Sequence, residues 1–557
     1  MVETIQVIIE NDSSCCEIVA GSKLSDIAQS RGIKLSHPIL AAYVNNRIRE
    51  LNYKLYSAAT IRFVDLSCFS GMRVYQRTLW LILQYVVEKL YPNGHLKISH
   101  SMGVNGFYCE VNGKENFSSI EIERLRLHIQ KTIEEDRPIV RKKLPTDKVA
   151  QIYQEKGYFN RLQLLRTRPR LYSEIYTLDS TVGYFYGSLA TSTGSISCFD
   201  IKSYYRGFYL ALPQRDNPAC TSVSPHQEKM FEIFNEYKHW GDIIGVSTIG
   251  SLNAKVIAGE SSSLIKIAEA LHEKKIISLA DKISQANKER GTHIVLLSGP
   301  SSSGKTSTSK RLDIQLQVNG YQPMIISLDD YFVDREYTPK DENGEYDFEA
   351  LEAVDVPLFN THLNALLAGE EVEIPRYNFI TGGREYCGNR LRLNDKSIII
   401  IEGIHGLNPS LTPSIKESEI FRVYVSCFTT MAMDNTSRIA TSDNRLLRRL
   451  TRDFMTRGNN GLSTLERWES VRRGEEKHIF PYQENADVMF NSSLFYEIPV
   501  IKHFVEPILH TIPDTSIHFE EARRLIKFLD NFIPIDHNEI PPTSLLREFI
   551  GGSSFKY

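Results

Sequence analysis

The sequence predicts a multidomain protein of α/β and α+β class, with its chemistry in a C-terminal parallel-sheet domain. Three observations carry this. At 557 residues the chain is too long for one core. Short apolar runs at 293–298, 323–328, 397–401 and 420–425 alternate with helical stretches, the pattern of a parallel sheet with crossover helices. The first run leads into Gly299-Pro300-Ser301-Ser302-Ser303-Gly304-Lys305-Thr306, which fits G-x-x-x-x-G-K-[ST] and opens a helix over Lys305 to Val318. Strand, glycine loop and helix bring backbone N–H groups and the positive end of a helix onto a polyphosphate. Lys305 is placed to reach the β- and γ-phosphates, and the Thr306 hydroxyl to hold Mg²⁺.

Composition narrows the class. The chain is 41% hydrophobic and 24% charged, with a formal net charge of −3, so no global basic field points to bulk nucleic-acid binding. Eight cysteines are scattered without C-x-x-C spacing, which fits a reducing compartment. The N-terminus lacks a basic segment followed by an apolar one, and no apolar run reaches the ~18 residues of a membrane span. A soluble, cytoplasmic protein without membrane association is the expectation.

Residues 1–68 read as a small α+β module. Strands are expected at Thr4–Ile9, from Ala41 and from Thr60, with a short helix after Ser22, its candidate cap. The order β, α, β, β resembles a β-grasp, and in particular the TGS domain at the front of threonyl-tRNA synthetases. Residues 69–213 resemble the α+β editing domain of the same enzymes. A long amphipathic helix ends at Pro92, and the strand Gly106–Val111 follows. That family carries H-x-x-x-H on the helix and a further Cys and His later, together a zinc set. The corresponding positions here are Arg77, Leu81, Phe185 and Leu189, so the resemblance implies the fold without its hydrolytic chemistry. His95 and His100, five apart, are expected at the surface on opposite faces of a strand. Residues 214–291 form a turn-rich and then helical connector, with helices over Gln227–Tyr237 and Leu264–Glu289. Residues 292–535 are the P-loop domain. Residues 536–557 read as a loose tail, or a strap without a visible partner.

Three further stretches surround the P-loop. Asp329 and Asp330 end a strand 24 positions after Lys305, where a carboxylate can take a hydroxyl proton; a turn-initiating Asp pair is the plain alternative. The buried strand Ser397–Ile401 ends in Glu402, a Walker-B-like acid suited to Mg²⁺. Arg445, Arg448, Arg449 and Arg452 fall at i, i+3, i+4 and i+7, placing four guanidinium groups on one helical face. They are expected to form a lid over a transferring phosphate, against the alternative of a solvated, salt-bridged face.

Taken together, the P-loop, Leu328-Asp329-Asp330-Tyr331-Phe332, Pro375-Arg376-Tyr377-Asn378-Phe379, Ile401-Glu402-Gly403-Ile404 and the arginine run resemble the uridine kinase and phosphoribulokinase family. The resemblance implies ATP held by Gly299, Pro300, Ser301, Ser302, Ser303, Gly304, Lys305, Thr306 and Ser307. It implies Mg²⁺ at Thr306 and Glu402, and catalysis by Asp329 as base with Lys305 and Arg452. Tyr331, Phe332, Glu349, Tyr377, Arg384, Arg452 and Arg457 would attend the small-molecule substrate. Uridine kinases commonly carry Y-D-F-x-x-H-x-R, whereas this chain has Asn378 for the Asp and Gly382 for the His. Kinase chemistry is therefore better supported than uridine itself. A sugar-phosphate or other small-alcohol kinase, or an NTP-gated RNA-binding protein using the front half, are the alternatives. The front half is expected to bind, regulate or form a homo-oligomer.

Overall fold

The computed structural model describes residues 3–103, 105–168, 170–215, 217–221, 226–341 and 344–556. The turn-rich stretch at 222–225 lies outside them.

The chain opens on a five-stranded sheet. Thr4–Ile9 pairs antiparallel with Ser14–Val19 and parallel with Ala59–Val64. Ala41–Val44 and Arg47–Glu50 extend the other edge. Helix Leu24–Ser30 turns Leu24, Ile27 and Ala28 into the core, completing a β-grasp arrangement. Two strands were not foreseen: Ser14–Val19 carries the polar pair Cys15-Cys16, and Arg47–Glu50 is largely charged, so neither shows an apolar alternation. Ser22 does not cap the helix. Its hydroxyl donates to the Val19 carbonyl at 2.7 Å, and the N-cap residue is Lys23.

The next stretch is organised on helix Phe69–Leu90, buried along most of its length. Against it lie a four-stranded antiparallel sheet containing Leu96–Met102 and Gly106–Val111, and a three-stranded sheet around Tyr172–Leu178. Leu81, Phe185 and Leu189 meet in one apolar core. Arg77, from the same helix, lies at the edge of that core. The surface expectation for His100 is overturned. Alternate residues Leu96, Ile98, His100 and Met102 all point inward, and the His100 ring stacks on Phe234 at 4.3 Å. Burial lowers the pKa of His100 to about 3, so it stays neutral.

Helices Glu228–Ile243, Ile249–Ile257 and Ser261–Arg290 lead to a five-stranded, fully parallel sheet. Its order is Gln322–Ser327, Ser397–Gly403, Ile294–Ser298, Ile420–Ser426 and Val488–Asn491. The P-loop strand is central, and all of Ile294–Ser298 is buried, as a strand covered on both faces requires. The fifth strand, only four residues long, was not foreseen. The C-terminal stretch is not loose: Leu545, Leu546 and Phe549 are fully buried in the same core as the sheet.

Candidate functional site

The P-loop is shaped by sterics before chemistry. Gly304 sits at φ +85°, and a Cβ there would lie 2.8 Å from the Leu545 side chain, so only glycine fits. Helix Lys305–Val318 starts directly after it. The Lys305 ammonium donates to the Pro300 carbonyl at 3.2 Å. The Thr306 hydroxyl donates to Glu402 at 3.2 Å, joining the helix start to the mouth of the neighbouring strand. At the next residue, the Ser307 N–H and hydroxyl both donate to the Glu548 carboxylate, at 3.1 and 2.6 Å. The C-terminal stretch therefore closes on the P-loop as a strap.

The aspartate pair divides its work. Asp330 accepts the Tyr377 N–H at 3.2 Å and fixes the neighbouring hairpin. Asp329 is open to the cleft. The protein packed around it still pushes its carboxyl above the ordinary value, while Lys305, Arg457 and Arg452 draw it back. Burial raises Glu402 to about 7, opposed by Lys305 and reinforced by Asp329. Burial, together with Glu475, also raises Glu349 to about 7, with Arg449 and Lys305 opposing. Lys305, Asp329, Glu349 and Glu402 thus share one electrostatic neighbourhood at the carboxyl ends of the strands, where ligands of open parallel sheets gather.

The arginine helix, Thr441–Arg457, departs from the expected lid. Arg445 and Arg448 are fully buried. Arg445 is clamped by Glu475, with one contact at 2.7 Å, and donates to the Ser301 carbonyl at 3.1 Å. Arg448 pairs with Glu497 and donates to the Ser492 carbonyl at 2.8 Å. Arg449 donates to the Ser301 hydroxyl at 3.0 Å. This face supports the P-loop from behind, because two internal glutamates neutralise it. A charge run with buried partners has no need of an external anion. Only the last turn is turned toward Asp329: Arg452 and Arg457 share Asp453, at 3.3 and 3.5 Å. Burial and the neighbouring Arg452 lower Arg457 to about 10.

The remaining substrate-side positions separate into two groups. Phe332 and Tyr377 meet edge to face at 5.6 Å, with the exposed rings of Phe348 and Phe379 beside them, and form an aromatic wall. Tyr331 instead enters the core, packed on Phe359 at 5.2 Å with its hydroxyl 3.2 Å from His362 Nδ1. Arg384 is held by Asp355 at 2.8 Å. Gly382 has φ +77° and turns the hairpin that joins Arg376–Asn378 to Gly383–Glu385. Asn378 accepts the N–H groups of Ile380 and Thr381 in the same turn. Both unusual residues therefore serve the hairpin. Glu475, Leu545 and Glu548, which shape the P-loop, carried no signal in the sequence: they lie 170 or more positions beyond it in the chain.

A parallel sheet whose central strand delivers a glycine loop, a lysine and two flanking acids defines a P-loop kinase fold. Residues 294–497 match the Phosphoribulokinase / Uridine kinase family, and this part of the chain is a domain of that family. The chain is 28% identical over 198 residues to uridine kinase of Chloroflexus aurantiacus, covering 35% of this chain and 85% of that protein. It is 27% identical over 201 residues to threonine–tRNA ligase of Acetivibrio thermocellus, covering 35% of this chain. The N-terminal part carries that relationship. The chain spans about a third of that ligase's length, 32%. A solved structure described as a possible uridine kinase from Bacillus stearothermophilus aligns over 39% of this chain and 98% of its own, at 20% identity and a TM-score of 0.28.

Proposed function

We propose that the protein is an ATP-dependent phosphotransferase that phosphorylates the 5′-hydroxyl of a nucleoside-like acceptor. The observation that carries this reading is the convergence of Lys305, the Thr306–Glu402 pair and Asp329 at the carboxyl ends of the strands. Residues Gly299 to Ser307 offer backbone N–H groups and Lys305 to the triphosphate. Thr306 and Glu402 present two hard oxygens 3.2 Å apart, a donor set that suits Mg²⁺ completed by phosphate and water. When bound there, the ion neutralises charge on the transferring phosphoryl group. The raised pKa of Glu402 fits this role: a carboxylate that burial penalises gains most from a cation.

Asp329 accepts the proton of the attacking hydroxyl while the acceptor oxygen bonds to the γ-phosphorus and the β,γ-bridging bond breaks. Lys305, Arg452 and Arg457 face the same carboxylate and the phosphate's path, so they stabilise transferred charge. Phe332, Tyr377, Phe348 and Phe379 supply an aromatic wall for a planar acceptor group. Within this reading, residues 292–535 are the catalytic unit, and 1–68, 69–213 and 214–291 are accessory units.

A second acceptor class, a sugar phosphate or other small alcohol, is favoured by one observation. Asn378 and Gly382 are committed to the hairpin, so neither is free to read a base edge. The deciding measurement is ADP formation across nucleosides and sugar phosphates, with Asp329→Asn in parallel. A nucleoside 5′-monophosphate formed by the native protein and lost in the variant supports the leading reading. Turnover only with sugar phosphates selects the second. Turnover stimulated by RNA without a phosphorylated small product would overturn both.

A further inference from the structure

Outside the kinase cleft, a cavity of about 740 Å³ opens between the front half and the kinase domain. Its size is that of a small-molecule site. One wall is the face of helix Phe69–Leu90 that carries Arg73, Gln76, Arg77 and Trp80, at i, i+3, i+4 and i+7. The opposite wall holds Arg438 and the start of the arginine helix, and the far end reaches Pro300 of the P-loop.

The charges in this cavity do not balance. Arg73 pairs with Glu521, and Arg524 bridges Glu521 and Asp443 with contacts of 2.7 to 3.0 Å. Those groups are mutually satisfied. Arg77 and Arg438 are left over. Each side chain is more than nine-tenths buried. Among the described residues, Arg77 finds only a long contact of 3.4 Å to the Ser188 carbonyl and the face of Tyr186. Arg438 lies over the face of Phe107, Asp443 acts on it through space, and its buried Nε has no acceptor among the described residues. Burial lowers the pKa of each guanidinium to about 10, opposed by Tyr186 in both and also by Asp443 in Arg438. The Trp80 indole N–H, packed edge-on to the same Phe107 at 5.2 Å, is also buried without an acceptor.

Uncompensated buried charge costs several kcal/mol in ordinary protein interiors, and donors so placed ordinarily have partners. Two buried guanidinium forks, with one long hydrogen bond between them among the described residues, line a space large enough for a ligand. A guanidinium fork matches the planar oxygens of a carboxylate or the face of a phosphate. We infer that this cavity is a binding site for a small organic oxyanion, a phosphate ester or polycarboxylate, held by Arg77 and Arg438. The ligand's apolar body packs on Phe107 and Phe185. The site does not depend on the proposed kinase activity, and its far end at Pro300 gives the occupant a direct contact with the P-loop.

The test is isothermal titration of the full-length protein with ribose 5-phosphate, citrate and inorganic phosphate, with potassium chloride at matched ionic strength as control. Lys305→Ala separates this site from the P-loop. Saturable binding of ribose 5-phosphate or citrate, retained in Lys305→Ala and weakened at least tenfold by Arg77→Met and by Arg438→Met, is the expected result. The two probes distinguish the phosphate arm from the carboxylate arm. Arg77→Lys keeps the charge and removes the fork. Weakened binding with an unchanged melting temperature of the ligand-free variant excludes misfolding as the cause. If neither organic probe binds saturably, or if binding follows Lys305 and ignores both arginines, the inference is wrong.

Discussion

Asp329 and Asp330 stand side by side in the sequence but meet different partners. Asp330 is tied to the Tyr377 N–H, while Asp329 faces Lys305, Arg452 and Arg457. Asp329→Asn is therefore expected to lower kcat by about 10²- to 10⁴-fold with ATP affinity retained, read from steady-state kinetics and nucleotide titration. Asp330→Asn acts on the hairpin and should change acceptor KM more than kcat. A pH effect belongs to the same scale. Glu349 and Glu402 lie above their ordinary value of 4.5, near 7. A raised carboxyl favours the folded state while protonated, so this contribution is intact below about 4.5 and lost as pH rises through about 7. Thermal melts of the nucleotide-free protein should decline across that window, and Glu402→Gln should flatten the decline. A steeper slope in Glu402→Gln would contradict the assignment of the shift to that carboxyl. Single residues were the most legible part of the site. Lys305, Thr306, Asp329 and Glu402 each sit at the end of a strand or the start of a helix that the apolar pattern marks. Tyr331 enters the core, against the expectation, because a tyrosine beside an aspartate pair looks the same in sequence whether its ring enters the cleft or the core.

At the scale of the element, the arginine helix is the most informative. Its periodicity placed Arg445, Arg448 and Arg449 on one face, and they do share it, but that face is internal. Periodicity gives the side of a helix, while what the side meets is decided elsewhere in the chain. Glu475 and Glu497 arrive from helices 30 and 49 residues further on. Removing one partner of a buried ion pair strands the other. Glu475→Ala is expected to cost about 3–5 kcal/mol in urea unfolding and to loosen the P-loop, whose Ser301 both groups hold. Glu469, on the outer side of the same helix, serves as the control; its replacement by Ala should change stability by no more than about 0.5 kcal/mol. The inner strands of the parallel sheet were readable because buried strands are continuous apolar runs. The four-residue strand Val488–Asn491 was not, since so short an apolar run does not stand out from a loop.

For the whole molecule, the front half and the kinase domain are joined by buried polar contacts as well as by apolar packing. Arg161 reaches across to Asp434 at 3.1 Å, and Asp434 in turn accepts the N–H groups of Thr436 and Ser437. Arg161→Ala leaves Asp434 without its guanidinium, and a loss of about 3–5 kcal/mol is expected, measured by chemical denaturation of the full chain. If the loss falls below about 1 kcal/mol, this ion pair does not hold the junction. Nothing local in the sequence forecast this joint. The resemblance of the front half to synthetase modules implied their shapes, but not the surface each turns to its neighbour.

The contact between Ser307 and Glu548 spans 241 positions of chain. Protein synthesis proceeds at about 5–20 residues per second, so the ribosome needs on the order of ten to fifty seconds to travel from one to the other. During that interval the glycine loop exists without the carboxylate that binds its first helical turn and without Leu545 against Gly304. The nucleotide pocket is thus finished well after its own loop and helix have been made. Nascent chains arrested at successive lengths should acquire protease resistance in the central sheet before they acquire nucleotide retention.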